Sequence, residues 1–176
     1  MYPVDDLDAV VRLHDCPRPD AGAPLPVVIG DDYQLLLAYL VSEPDPNWDG
    51  SYVTVVSPGS DGQLVAIVRF HQPYAHMFGP PNDEAFHGHP LAQRGLEAYS
   101  VSEIHHSSWL RQLERMNSVH PHHDRARFMD SRRHLVWAFH DSTFECIAEG
   151  FEVEVRRGSI HSAMARMMEL LRDEAV

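Results

Sequence analysis

The chain contains no lysine; all fourteen of its basic side chains are arginines. That absence excludes a Schiff base to a carbonyl substrate or pyridoxal phosphate, and a Walker-type phosphate lysine with it. Cysteine is nearly absent too: Cys16 and Cys146 stand far apart, outside any CxxC spacing, which excludes a disulfide framework and a cysteine-rich zinc knuckle and suits a reducing compartment. No apolar run approaches the roughly 18 residues of a membrane span. The opening MYPVDDLDAV has neither the basic segment nor the apolar segment of a secretory signal, so a soluble, cytoplasmic chain is expected. Positive charge is scarce, and the formal net charge of −12 opposes binding to phosphate backbones or anionic lipid. Nucleic acid and membranes are therefore not expected as partners. The chain also lacks a G-x-S-x-G elbow, a P-loop, a dinucleotide glycine fingerprint and HExxH.

What the chain has in excess is histidine. Nine of its thirteen histidines lie between His71 and His123, in a stretch crowded with turn residues. Imidazole ligates metals, moves protons near neutral pH or hydrogen-bonds a loop, so the cluster marks a place before it names a chemistry.

With 176 residues the chain suits one domain, 1–176. Residues 1–24 read as an irregular arm rich in proline. Strands are expected at Leu25 to Ile29 and Tyr33 to Val41, joined as a hairpin across Gly30-Asp31-Asp32, and at Tyr52 to Val56 and Leu64 to Phe70 around SPGSDG. Residues 72–99 show no periodicity and read as a long functional loop, longer than the roughly 12 to 15 residues usual for structureless connections. Ser100 and Glu103 have capping-box spacing, which predicts a helix from there to about Met116 with Trp109, Leu110, Leu113, Met116 and His106 on one face. Leu135 to His140, Thr143 to Ala148 and the alternating Phe151-Val153-Val155 predict a three-stranded meander. Ser159 then caps a final helix with Ile160, Ala163, Met164, Met167, Met168 and Leu171 inward. The fold class expected is α+β, a largely antiparallel, curled sheet of about seven strands with two packed helices.

Three groups of residues carry candidate chemistry. His87-Gly88-His89 would place two imidazoles on one face of an extended segment, where both could reach one cation. His120, His122 or His123 would supply a third ligand, with Asp124 behind it; Asn82, Asp83 and Glu84 add hard oxygen donors that suit zinc, iron or manganese better than calcium. The third group is the corner Phe139 to Cys146, where His140, Asp141 and Glu145 are candidate acid–base residues. Cys146 there alternates with Phe144 and Ala148, which points its thiol into an apolar layer.

The reading expected from these residues is a divalent transition-metal site, with Zn, Fe or Mn, activating water or an oxidant against a small molecule. Its rival is a non-enzymatic partner-recognition or inhibitor module whose acidic surface engages a basic protein. A metal-free acid–base enzyme using His140 and Glu145 is the third.

Overall fold

Strands with two apolar faces dominate the computed structural model, which describes residues 2–44, 46, 49, 51 and 55–173. Among these residues nine strands form two antiparallel sheets. One has the order β1 (Ala9–Arg12), β6 (Ser100–His105), β7 (Arg133–Ala138), β8 (Thr143–Ala148), β5 (Ala75–Gly79). The other has the order β2 (Val27–Gly30), β3 (Leu35–Leu40), β4 (Gln63–His71), β9 (Gly150–Gly158). Three α-helices cover them: α1 (Ser108–Asn117), α2 (Arg125–Asp130) and α3 (Ile160–Asp173). The α+β class expected from the sequence holds, but the single sheet of about seven strands is in fact two open sheets.

The two sheets share one core. Leu35, Leu37 and Tyr39 of β3 and Val68 and Phe70 of β4 pack with Leu135 and Trp137 of β7 and Phe144 and Cys146 of β8. The alternate side chains of β3 and β4, including Leu36, Ala38 and Ile67, turn outward to Ile160, Ala163 and Met167 of α3. Those of the five-stranded sheet, Ile104, Val136 and Ile147, meet Trp109 and Leu110 of α1 and Phe86, Leu91 and Leu96 of the long connection. Central strands are thus covered on both sides, which is why they read as continuous apolar runs. Full burial of each such aliphatic side chain contributes about 1.5–3 kcal/mol.

Several expectations are corrected. The arm 1–24 holds β1 and a buried Tyr2, because β1 finds an edge to pair with on β6. The segment 72–99 is not structureless: Ala75–Gly79 pairs with β8, two 3₁₀ turns follow at Phe86–Gly88 and Ala92–Arg94, and Phe86, His89, Leu91 and Leu96 are buried against the sheet. Ser100 to His105 is a strand because it is held between β1 and β7; α1 starts at Ser108, with the Ser107 hydroxyl accepting from the Leu110 amide. His106 consequently lies before α1, in the left-handed region at φ 54°, and Met116 is exposed. The meander stops at two strands, since the chain bends at Glu149, where the Glu149 amide donates to His71, and β9 pairs with β4 of the other sheet. The expected strand at Tyr52 to Val56 falls mostly on residues 52–54, outside the described residues; Val55 and Val56 are not in a strand. The Ser159 cap of α3 forms as read, its hydroxyl accepting from the Ser162 amide.

Candidate functional site

Alternation along β8 sends Phe144, Cys146 and Ala148 into the shared core and Glu145 to the opposite face, under α1 and the long connection. There Glu145 is 4% exposed. Its carboxylate accepts from Tyr2 Oη at 2.5 Å, from His134 Nε2 at 2.9 Å and from His89 Nε2 at 3.2 Å. The tautomers follow from the other ring nitrogens. The Leu91 amide donates to His89 Nδ1, so the His89 proton sits on Nε2 and faces the carboxylate. Ser107 Oγ is taken as acceptor by the Leu110 amide, leaving its hydroxyl proton for His134 Nδ1 at 2.9 Å, and His134 likewise donates through Nε2. Burial alone would raise the Glu145 carboxyl, but the bonds from His134, His89 and Tyr2 together outweigh it and bring it down to about 2. Burial and the neighbouring carboxylate push the Tyr2 phenol far upward.

This cluster is closed. Tyr2 stacks on Trp109 with ring centroids 5.4 Å apart, and Trp109 meets His134 edge-on. Beside it the buried Asp8 accepts from the Ser108 amide at 2.8 Å. Every side-chain polar atom of Tyr2, His89, His134 and Glu145 has a partner, the carboxylate has no proton to give, and neither histidine presents a ring lone pair to a cation. What the arrangement does is hold the amino-terminal arm, α1 and the long connection to β8. Glu145, expected as an acid–base residue, sits here away from solvent.

His140 belongs to a different group, at the corner after β7. Its Nδ1 lies 2.9 Å from the Tyr99 hydroxyl and 3.1 Å from Asp83 Oδ2, and Tyr99 also donates to Asp83. Asp83 is held below the ordinary carboxylate range, chiefly by the Tyr99 hydroxyl. Tyr99 is pushed up to about 12, by burial first and Asp83 next, and its backbone is left-handed at φ 56°. Asp141, expected as an acid–base residue, has a carboxylate that is 85% exposed and 3.9 Å from His140 Nε2, whereas Asp83 from the long connection orients the ring. His140 is partly exposed, and neither cavity described below includes it.

The expected metal ligands are distributed, not gathered. Phe86–Gly88 is a 3₁₀ turn, not extended chain, so His87 and His89 diverge: His87 is exposed while His89 is buried on Glu145. His123 is held between Asn117, 3.0 Å from Nδ1, and Glu114, 2.9 Å from Nε2. His120 and His122 are exposed, with the His122 amide donating to His120 Nδ1 at 3.2 Å. Among the described residues, no group of three or more His, Cys, Asp or Glu side chains is placed to hold a metal ion.

Sequence reasoning missed a cleft of about 560 Å³ between the segment Arg12 to Pro17 and β9. Its wall is apolar, with Leu13, Phe151, Val153 and Val155; Arg12, His14, Arg133 and one carboxylate, the exposed Asp15, are also in its lining. Cys16 faces it as a thiol whose burial raises it to about 11. Arg133 lies against Phe151, its guanidinium carbon 5.8 Å from the ring centroid, and bonds Glu103 at 2.5 Å. β1 and β9 are edge strands of different sheets, so no local pattern could bring these residues together. Tyr2, His134 and Tyr99 were missed as well; only His134 left a signal, as the polar residue in register with Val136 and Ala138. No family model, curated protein or solved structure matches the chain.

Proposed function

We propose that this protein is a non-enzymatic binding module for a small amphipathic acid, with the apolar body of the ligand in the cleft beside β9 and its anionic head among Arg12, His14 and Arg133. The observation that carries this reading is the cleft itself: its volume of about 560 Å³ lies within the range of small-molecule sites, and its lining is apolar with a few polar groups. The ion pairs of Arg12 with Glu97 and Arg133 with Glu103 are partly exposed, and such pairs are worth about 0–1 kcal/mol, so a ligand can share either guanidinium at little cost. A transition-metal enzyme has less support, because His89 and His123 are engaged by different carboxylates and His87 is exposed away from both. An acid–base enzyme also has less, because Glu145 is sealed and His140 lies outside the cleft.

The test uses 8-anilinonaphthalene-1-sulfonate as an apolar, anionic probe. Saturable fluorescence enhancement is expected, displaced by medium-chain aliphatic carboxylates but not by the matching alcohols. Val155→Arg should abolish it without lowering the melting temperature, since Val155 is 46% exposed. Dye binding that ignores this substitution, or displacement by the alcohols as readily as by the acids, refutes the reading.

A further inference from the structure

The turn HPHHD and the short α2 that follows it enclose a second cavity, of about 250 Å³, sharing no lining residue with the cleft. Its lining is polar and rich in donors. Arg132 stands over two rings, its guanidinium carbon 4.2 Å from the Phe128 centroid and 4.9 Å from that of Tyr74, which fixes the group in place. Its Nη1 donates to Ser131 Oγ at 3.1 Å, and its Nε is buried with no acceptor among the described residues. Elsewhere arginines such as Arg94, Arg111, Arg133 and Arg157 hold carboxylates, in a chain with 26 acidic residues. Among the described residues, Arg127 and Arg132 have no carboxylate within ion-pair distance, and both line this cavity.

The remaining lining groups also offer protons. The His120 Nδ1 accepts from the His122 amide, so its proton is on Nε2. Ser131 Oγ accepts from Arg132, so its hydroxyl proton is free to donate. Of the two carboxylates in the lining, Asp124 is engaged in capping α2 through the Arg127 amide at 3.0 Å. Glu149 is exposed, and its carboxylate has no partner among the described residues. Two guanidinium groups, a hydroxyl and an N–H with few competing acceptors match the several acceptor oxygens of a tetrahedral oxyanion.

We propose that the cavity formed by His120, Arg127, Ser131 and Arg132 binds the phosphate group of a small, soluble phosphomonoester. The volume admits the phosphate and a compact organic portion. Local cations decide this contact although the whole chain is acidic, and the net charge of −12 sets a phosphate-bearing membrane surface at a disadvantage.

The experiment is isothermal titration calorimetry of the whole protein with inorganic phosphate, with phenyl phosphate, and with phosphatidic acid vesicles. One saturable site per chain is expected for both soluble anions, tighter for phenyl phosphate, with no binding to vesicles. Arg127→Gln changes an exposed side chain and should weaken phosphate roughly ten-fold, the loss of one charge-assisted contact. Glu149→Gln should strengthen it several-fold by removing the lining carboxylate that repels the anion. Absence of saturable binding by the wild-type protein overturns the proposal, as does phosphate affinity that both substitutions leave unchanged. Binding to vesicles in preference to phenyl phosphate overturns the assignment to a soluble ester.

Discussion

Glu145 keeps its charge inside the protein because three donors replace the water it has lost. The sign of the consequence is fixed by the direction of its shift. With the carboxyl lowered from its ordinary 4.5 to about 2, its stabilisation is complete above pH 4.5 and is lost as pH falls towards 2. Glu145→Gln is therefore expected to cost on the order of 3 kcal/mol at neutral pH. The gap between variant and wild type, measured by urea denaturation, should narrow steadily between pH 4.5 and pH 2. A gap independent of pH would show that the lost charge is not what matters. At this scale the sequence was partly legible. Cys146 lies in the shared core as alternation required. The same alternation places Glu145 on the opposite face, but which side chains await it there depends on Tyr2 and His89, distant in the chain, and no spacing records such a meeting.

Elements were legible where their own periodicity decided them and obscure where a neighbour did. α3 was readable from its cap and repeat, yet the inward stripe is narrower than the repeat suggested: Met167 is fully buried, whereas Met164 and Met168 are 37% and 44% exposed. Met167→Ala should then cost about 2–5 kcal/mol by leaving a cavity against β3 and β4, while Met164→Gln should stay within about 0.5 kcal/mol. Thermal unfolding of the two variants checks the rotation of α3 on its sheet; equal losses would contradict it. Ser100 to His105 shows the opposite case. Its capping-box letters describe a helix start, but pairing on both edges with β1 and β7 satisfies its backbone as a strand, and tertiary pairing wins over local preference. β5 was hidden because it is an edge strand with no fully buried residue: the inward Ala75, Met77 and Gly79 are only partly covered and the apolar Phe78 faces outward.

For the whole molecule, the sequence could not apportion strands between sheets, since a strand covered on both faces reads alike in either. β9 shows this: it continues directly from β8 yet pairs in the other sheet. The core common to both sheets predicts one cooperative transition, with tryptophan fluorescence and far-ultraviolet circular dichroism coinciding along a urea gradient. Separated midpoints would mean that the sheets unfold apart. The clasp of Tyr2 on Glu145 has a bearing on synthesis. These partners lie 143 positions apart, so during translation β1 can already pair with β6 while the Tyr2 hydroxyl has no carboxylate to donate to until β8 has left the ribosome. Tyr2 is thus fixed late, and a nascent chain lacking β8 would leave its hydroxyl and the His134 Nε2 without the carboxylate they share.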